Sequence, residues 1–456
     1  MIKKTILHYI DLVIDVRRGI IDIIATATSQ GLGIIIATIT SILVARALGP
    51  DSMGKYSLIL SVTTFIFAIT DLGISQTTIR YASKAISLND VENHRAILRW
   101  SLRIRLAILM VTASAVYLIT PFITGSVWHV DGIDTLIRLS LFIVLFMIIG
   151  TIATLYFQSL KRFMQNAIIT SVISILTFSG IIALYYLKLL KIDNIIWYTV
   201  ISSGVLTIMA ALIFLPKDAF VPTHFLTKKY RFDIKNILHT PSLGEQPGLD
   251  ESDSMKTFAF FSSISSFVIA IGMQMDIWIL GAFIPTAEVG IYSVGIKYAM
   301  PLATFMATVS TVLWPRISPI SKYEELISAL KKMIKLGIVL MIPFALYSIF
   351  VPMLTPWLFG KAYSGSILYG QILSIRYCIS IFTTILLLVG YNIGLIRTFS
   401  IITPITIVFW IIVNIVVVSR FGAMGAAIDM VLAEILWLII LILLIRSKLK
   451  SHALNN

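Results

Sequence analysis

Cysteine and charge are both scarce in this sequence, and each shortage excludes a class of protein. The chain has 456 residues but one cysteine, Cys378, which excludes an intrachain disulfide framework and a multi-cysteine metal site. Charged residues make up 13% of the chain, against roughly 25% in an average soluble domain. With 58% hydrophobic residues and a mean hydropathy of +0.95, the chain has more apolar surface than a water-soluble core can bury. We therefore expect a membrane protein.

The usual marks of catalysis are also missing. All six histidines lie outside the long apolar segments, so an intramembrane histidine relay or metal cluster is not expected. No G-x-x-x-x-G-K-[ST] motif is present, so the chain is not expected to hydrolyse ATP. The loops predicted on the outer side are short, whereas membrane glycan polymerases and ligases generally need a large outer loop. We expect no enzyme activity, no catalytic residues, no cofactor and no metal site.

Long apolar runs are abundant. A membrane-spanning helix needs about 20 mainly apolar residues, and we find twelve such segments. We predict an all-α integral membrane protein with about twelve transmembrane helices. The predicted spans are 21–46, 56–79, 104–123, 135–157, 164–187, 195–215, 257–283, 290–314, 333–357, 366–390, 397–418 and 423–445.

The distribution of Lys and Arg predicts an orientation for these spans. With both termini inside, the inner segments contain 27 of the 36 basic residues and the outer ends contain 7. Because cytoplasmic loops are enriched in Lys and Arg, this ratio predicts a multi-pass protein of the plasma (inner) membrane with both termini in the cytoplasm. The net charge of +14 is then explained by basic loops that contact anionic membrane lipids, and no nucleic-acid partner is expected.

Loop composition predicts two halves of six spans each. Residues 217–256 end in the acidic, turn-rich "LGEQPGLDESDS" and are predicted to form a flexible cytoplasmic linker between bundles at 21–216 and 257–446. An amphipathic surface helix is predicted at 1–20, and a cytoplasmic tail at 447–456. We expect the chain to be a monomer.

A short motif occurs once in each half. Gly-x-Tyr-Ser opens a span at Gly54–Ser57 and again at Gly290–Ser293, each time after a turn that contains proline. Six spans separate the two copies, so both halves have the same orientation and form a parallel repeat. Transport proteins with such repeats bind their cargo between the halves.

Seven stretches, in order along nearly the whole chain, resemble one known family. They are "ARALGPDSMGKYS" (45–57), "TDLGISQTTIRYASK" (70–84), "MDIWILGAF" (275–283), "VGIYSVGIKYAMPL" (289–302), "WPRIS" (314–318), "LFGKAYSGS" (358–366) and "FGAMGAAIDMVLAE" (421–434). The chain resembles the Wzx-type polysaccharide flippases of the multidrug/oligosaccharidyl-lipid/polysaccharide exporter superfamily. The resemblance implies two six-helix bundles around a central cavity. It also implies transport of a polyprenyl-pyrophosphate-linked oligosaccharide from the inner to the outer leaflet.

Charged residues inside the spans are the candidate functional groups, because an ion near the bilayer centre costs about 2.5–3.5 kcal/mol on insertion scales. Four are acidic and are predicted to bind a coupling cation, either proton or sodium, or to gate the cavity: Asp71, Asp276, Asp429 and Glu434. Two are basic and are predicted to bind the substrate's phosphates: Lys297 and Arg376. Two more cations near outer span ends, Arg46 and Arg138, are either interfacial anchors or part of a phosphate-release site.

For most of these residues, a structural role competes with the functional one. Asp71 could bind a cation or only stabilise helix packing through nearby Ser and Thr hydroxyls. Arg376 could grip a pyrophosphate with its planar fork or pair with Glu434 at similar depth. Asp429 and Glu434 lie about 140° apart around a helix, so we expect one to face Arg376 or the cavity and the other the eleventh span.

Asp276 and Lys297 lie equally far from the turn centred near residue 286.5. Two antiparallel helices joined there would hold the two side chains at the same depth. We predict that the two charges either form an ion pair or line one water-filled cavity.

Two other functions compete with a lipid-linked glycan flippase. An ion-coupled multidrug or cation antiporter of the same superfamily would use the four acidic residues but would not need the two buried cations. A membrane glycosyltransferase or polymerase is opposed by the short outer loops and by the lack of an acidic catalytic pair.

Overall fold

The computed structural model describes residues 2–214, 255–317 and 323–454, and in these ranges the chain is helical with short turns and no strands. The helices are α1 Ile2–Asp71, α2 Ile74–Ser87, α3 Val91–Phe122, α4 Asp134–Ser159, α5 Phe163–Tyr186, α6 Ile192–Phe214, α7 Met255–Phe283, α8 Thr286–Ile317, α9 Tyr323–Leu358, α10 Ser366–Asn392 and α11 Ile396–Leu454. A π-helical turn, Ile123–Val127, extends α3, and a 3₁₀ turn, Lys361–Tyr363, precedes α10. The fold is all-α, as predicted.

Two of these helices each contain two predicted spans. The backbone of α1 leaves helical geometry at Gly49, with φ 71°, and that of α11 does so at Gly422, with φ 57°. Glycine lacks a Cβ and adopts positive φ readily, which explains sharp turns at these two points. Both breaks fall at predicted span boundaries.

The apolar content of these helices agrees with a multi-pass membrane protein. In the described ranges, eight helical stretches are long and apolar enough to cross a membrane. Two of them, Gly31–Asp71 and Thr398–Lys448, each contain two predicted spans, and Phe267–Phe283 is a shorter apolar helix. About twelve transmembrane helices therefore fit the structure.

One predicted span is broken. The second span was expected to run without interruption over 56–79, but α1 ends at Asp71 and α2 begins at Ile74. Leu72 and Gly73 between them both have positive φ, 35° and 79°. A leucine with positive φ is strained by about 1–3 kcal/mol, so the surrounding contacts must hold this break in place.

The chain forms two compact units. Unit 1 comprises Met1–Val44, Thr70–Leu118 and Thr135–Ile234, and unit 2 comprises Ala45–Ile69, Ile119–Asp134 and Lys235–Asn456. Almost all of the predicted linker, 217–256, lies outside the described residues. The division into two six-span halves therefore stays a prediction. The predicted surface helix at 1–20 is helical from Ile2 and continuous with α1.

Within unit 2, α1 and α8 cross with their backbones in contact. A Cβ atom added to Gly54 would lie 1.8 Å from the Thr286 carbonyl oxygen, and one added to Gly290 would lie 2.0 Å from the Pro50 carbonyl oxygen. The contact is reciprocal, because Pro50 and Thr286 each precede their glycine by four residues. The repeated Gly-x-Tyr-Ser motif thus supplies both glycines of one helix crossing.

Tryptophan and tyrosine side chains join the same parts of unit 2. The indole of Trp278 on α7 donates to Ser61 Oγ on α1 at 2.9 Å. The Trp278 carbonyl accepts from the indole of Trp128 at 3.1 Å. Tyr363 donates to the Ala45 carbonyl at 2.7 Å. These bonds fix the second part of α1 and the turn after α3 against the C-terminal helices.

Candidate functional site

Two carboxylates share one amide in the interior of unit 2. The Nδ2 atom of Asn414 donates to Asp276 Oδ1 at 3.1 Å and to Asp429 Oδ2 at 2.8 Å. Asp276 lies on α7, whereas Asn414 and Asp429 lie on either side of the Gly422 break in α11. That break folds the two parts of α11 so that residues 15 positions apart can meet. We call these three residues the acidic cluster.

The acidic cluster is deeply buried and incompletely satisfied. Asn414 is fully buried, and Asp276 and Asp429 are 3% and 2% exposed. Two of their oxygen atoms, Asn414 Oδ1 and Asp429 Oδ1, are buried and have no hydrogen-bond partner among the described residues. An unpaired buried acceptor is costly, so the cluster offers two oxygens that a proton donor or a cation would stabilise.

Arg376 on α10 lies beside this cluster. Its Nε donates to Glu434 Oε2 at 3.4 Å, and its Nη1 contacts the Met430 sulfur at 3.4 Å. The other Glu434 oxygen accepts a short hydrogen bond, 2.6 Å, from the Thr383 hydroxyl. The pairing of Arg376 with Glu434 is therefore present, as one of the two alternatives for Arg376 anticipated. The hydrogen bond to Glu434 is long, the guanidinium also lies 5.7 Å from the centre of the Tyr377 ring, and 30% of the side chain remains exposed.

Asp429 and Glu434 face different neighbours, as their spacing predicted. Asp429 turns to Asn414 on the preceding part of α11, and Glu434 turns to Arg376 and Thr383 on α10. The same helix turn thus connects the acidic cluster to the arginine.

Charge is not balanced in this region when all groups are ionised. Asp276, Asp429 and Glu434 carry three negative charges, and Arg376 is the cation that interacts with Asp276 electrostatically and with Glu434 through the ion pair. Buried carboxylates in excess of buried cations must take up protons or another cation, because an uncompensated buried charge is strongly unfavourable. No group of three or more His, Cys, Asp or Glu side chains in the described ranges could hold a metal ion, so any cation would also need the Asn414 amide.

Of the two arrangements predicted for Asp276 and Lys297, an ion pair or a shared water-filled cavity, the ion pair does not form. The Asp276 carboxylate accepts from Asn414 instead. Lys297 has no ion-pair or hydrogen-bond partner among the residues that the structure describes. Equal depth on two neighbouring helices is not enough for contact, because the two side chains must also point towards each other around their helix axes.

Unit 1 contains a second buried charge pair, at the break between α1 and α2. Arg105 on α3 donates through Nη2 to Asp71 Oδ1 and, at 2.5 Å, to Ser75 Oγ. The same Asp71 oxygen accepts from the Ser75 backbone N–H at 2.9 Å. The Arg105 side chain is 0% exposed, and that of Asp71 is 38% exposed. Asp71 was expected to find Ser and Thr hydroxyls or a cation, and its partner is an arginine.

The sequence analysis did not single out Arg105, because it lies at the start of the predicted span 104–123, beside the basic residues of the loop after the second span. Its position around the helix distinguishes Arg105 from the other arginines nearby. Arg95, Arg99 and Arg103 lie four residues apart and share one face of α3, whereas Arg105 lies about 200° from Arg103. Asn414 was missed because amides carry no charge, although it is a lone polar residue in the apolar run "WIIVNIVVV".

The two cations predicted near outer span ends have separate surroundings. Arg46 donates to the Trp357 carbonyl in unit 2. The Arg138 guanidinium lies 4.3 Å from the centre of the Tyr117 ring in unit 1, a cation–π contact. The Nε atom of Arg138 is buried and has no partner among the described residues.

Comparison with known families decides the family. The model of a polysaccharide biosynthesis protein family matches residues 21–321, more than half of the chain. The chain belongs to this polysaccharide biosynthesis protein family. Comparison with curated protein sequences finds no match.

Solved structures similar to this chain are transporters and flippases. An inward-facing multidrug resistance MATE family transporter of the MOP superfamily has a TM-score of 0.73 at 15% identity, over 92% of this chain and 95% of the other. The lipid II flippase MurJ in an inward closed conformation has a TM-score of 0.64 at 17% identity, over 96% of this chain and 90% of that one. A MOP superfamily transporter from Pyrococcus furiosus has a TM-score of 0.56 at 14% identity, over 94% and 96%.

These comparisons confirm the resemblance to the exporter superfamily and its polysaccharide flippases. The chain is therefore a multi-pass, all-α protein of the polysaccharide biosynthesis family, and its fold is similar to that of MOP superfamily transporters and of the flippase MurJ. At these low identities the structural matches establish the fold alone.

Proposed function

We propose that this protein moves a polyprenyl-pyrophosphate-linked oligosaccharide from the cytoplasmic to the outer leaflet by alternating access. The proposal rests on the weak contacts and partial exposure of Arg376, in a chain that belongs to a polysaccharide biosynthesis family. The Arg376 guanidinium lies inside a membrane protein, and its polar contacts among the described residues are those to Glu434 and to the Met430 sulfur, both at 3.4 Å. The Tyr377 ring lies 5.7 Å away, and 30% of the Arg376 side chain is exposed. Arginine binds phosphate oxygens bidentately and keeps its charge, so Arg376 can exchange Glu434 for a pyrophosphate.

Lys297 supplies a second cation for the same anion. An ammonium at this depth without a protein partner is costly, and a phosphate would compensate it. Arg46 and Arg138 act nearer the outer leaflet, where they receive or release the phosphates. The proposal thus assigns the substrate's charge to four cations.

The acidic cluster is proposed as the coupling site. Asp276 and Asp429 share a single amide proton donor, and the two unpaired oxygens nearby can accept a proton or coordinate sodium. Uptake of one cation would reduce the charge imbalance around Arg376. Because Arg376 interacts with Asp276 as well as with Glu434, a cation in the cluster would weaken the hold of the carboxylates on Arg376.

The alternative, a multidrug or cation antiporter, is favoured by the same excess of carboxylates. A cationic drug would bind to Asp276 and Asp429 directly. Purified protein in proteoliposomes separates the two functions. A flippase exposes a lipid-linked oligosaccharide to an external glycan-modifying enzyme, whereas an antiporter takes up a cation such as ethidium and leaves the glycan lipid unmoved.

The proposed membrane orientation has its own test. We propose that the protein lies in the plasma (inner) membrane with both termini and residues 217–256 in the cytoplasm. Single cysteines at positions 240 and 287, in a Cys378→Ser background, can be labelled on intact cells with an impermeant reagent. Labelling at 287 but not at 240 supports the orientation, and the opposite pattern contradicts it.

A further inference from the structure

Unit 2 contains a cavity that none of the roles above uses. Its volume is about 540 Å³, within the roughly 300–1,000 Å³ typical of small-molecule sites. It is lined by Lys55 on α1, by residues 128–131 after α3, and by residues 281–286, which include the end of α7 and the start of α8.

Backbone hydrogen bonds hold residues 128–131, the part of the lining that follows α3. The backbone N–H groups of Trp128 and Val130 donate to the carbonyls of Ile123 and Thr124, both at 2.8 Å. His129 adopts φ 52° and Gly132 φ 80°, two left-handed residues within four positions. Such strain is retained where the surrounding structure determines the backbone, and it is commonest at binding sites. The turn therefore fixes the backbone that carries the exposed His129 and Asp131 side chains.

The side chains that line the cavity are suited to an uncharged ligand with several hydroxyl groups, such as a sugar ring. Lys55 and Asp131 bring one charge of each sign, and His129 adds a side chain that can donate or accept a proton. Trp128, 6% exposed, supplies the edge of an indole fixed by its bond to the Trp278 carbonyl. A lone anion would need an excess of cations, and an apolar drug would need fewer charges. A sugar ring offers apolar C–H groups to the accessible edge of the indole and hydroxyl groups to the three polar side chains.

The cavity is also connected to the crossing of α1 and α8. Thr286 lines the cavity, its carbonyl contacts Gly54, and its hydroxyl bonds to Asp51. Lys55, which also lines the cavity, pairs with the same Asp51 at 3.0 Å. A ligand that contacts both Lys55 on α1 and Thr286 on α8 would favour the arrangement in which α1 and α8 cross as they do here.

We propose that this cavity binds a sugar unit of the delivered glycan and that its occupancy stabilises the crossing at Gly54 and Gly290. The inference rests on the proposed flippase function and on the proposed orientation, which places these turns at the outer surface. The site would make the protein sensitive to glycan that has already reached the outer side.

The test uses purified full-length protein in detergent and does not require transport. Phe283, an exposed lining residue, is replaced by cysteine in a Cys378→Ser background, and the rate of maleimide labelling is followed. The probes are maltotriose and chitotriose. Inorganic phosphate and tetraethylammonium test whether a lipid phosphate or a cationic drug occupies the cavity instead. We expect saturable protection by at least one saccharide and none by the other two probes.

Two variants locate the effect. Asp131→Asn and His129→Asn each remove hydrogen-bonding capacity without adding volume, and asparagine tolerates the left-handed backbone at position 129. We expect at least one of the two to weaken saccharide protection by about tenfold, since a hydrogen bond to a saccharide hydroxyl is lost or weakened. Lys188→Asn is the matched control, because Lys188 also has a left-handed φ, 59°, but lies in a different turn.

A second readout tests the effect on the crossing. Cysteines at positions 51 and 286 should form a disulfide faster in the presence of the protective saccharide. The inference is overturned if neither saccharide protects position 283, if protection survives both variants, or if phosphate protects equally well. Protein that translocates a lipid-linked glycan but shows no saccharide protection refutes this inference alone. Saccharide protection without translocation instead refutes the proposed function.

Discussion

The two buried charge clusters differ in how their charges are compensated. In unit 1, Asp71 has its own arginine, Arg105, and a serine that bonds to both. In unit 2, Asp276 and Asp429 share the one amide of Asn414, and the nearest arginine is paired with a third carboxylate.

This difference indicates which cluster can change state. Asp71 and Arg105 balance each other one to one, although Arg105 Nε and Nη1 are buried without a hydrogen-bond partner among the described residues. A further cation would meet a carboxylate that is already compensated. A cluster with more carboxylates than cations is stabilised by a proton or a cation, and loses that stabilisation when the cation leaves. We therefore propose a structural role for Asp71 and Arg105, and a coupling role for the acidic cluster.

Replacement of Asp71 should have the most severe consequence. Asp71→Leu leaves the fully buried Arg105 without its carboxylate, and loss of one partner of a buried pair costs about 3–5 kcal/mol. We expect the variant to be nearly absent from purified membranes, as measured by immunoblot. The double variant Asp71→Leu with Arg105→Met removes both charges and should recover expression and transport. A double variant that is expressed but inactive would show that this cluster takes part in transport.

Arg376→Ala should retain expression but lose transport by about 100-fold, since it removes a charge-assisted fork worth several kcal/mol. Arg376→Lys should recover part of the rate, because a point charge replaces a bidentate group. The measurement is initial translocation rate per amount of folded protein in proteoliposomes. If Arg376→Ala disappears from the membrane, Arg376 resembles Arg105 and the contrast between the clusters is wrong.

The fold was more predictable than the contacts of the site. Apolar runs and the Lys and Arg distribution located the helices, because the bilayer imposes length and composition on every span. The break at Leu72–Gly73 was missed, since a leucine with positive φ has no signature in composition. The Gly-x-Tyr-Ser repeat identified equivalent positions, but not that its two glycines meet.

Prediction of the site depended on the kind of interaction. Equal depth in the membrane correctly indicated the ion pair between Arg376 and Glu434, whereas Asp276 and Lys297, also at equal predicted depth, form no ion pair. Helix rotation decides such pairs, and sequence spacing alone does not determine rotation between separate helices. Asn414 and Arg105 could have been found, the first as a lone amide in an apolar run and the second from its face on α3.

Asp276→Asn should cause a smaller, more specific change than loss of Arg376. Asparagine keeps an oxygen that can accept from Asn414, so the fold should be retained, but one titratable negative charge is lost. We expect transport to fall several-fold, by about 1–2 kcal/mol of coupling free energy, and to respond less to an ion gradient. Asp71→Asn with Arg105→Met is the control, because it should leave the response to the gradient unchanged.

The weakest effect is expected between Lys297 and Asp276. Because the two side chains form no ion pair, the effects of Lys297→Met and Asp276→Asn on the free energy of unfolding should add within about 0.5 kcal/mol. Thermal unfolding of the two single variants and the double variant in detergent measures the coupling. A coupling energy well above this value would mean that the two charges interact in a state other than the one described here.

The most direct test of the account is the translocation rate of a lipid-linked oligosaccharide in proteoliposomes, with and without a proton or sodium gradient. The wild-type rate should increase with a gradient of one of these ions, and Asp276→Asn with Asp429→Asn should abolish the increase while the protein remains folded. A wild-type rate that is the same under every gradient would contradict the assignment of the acidic cluster as the coupling site.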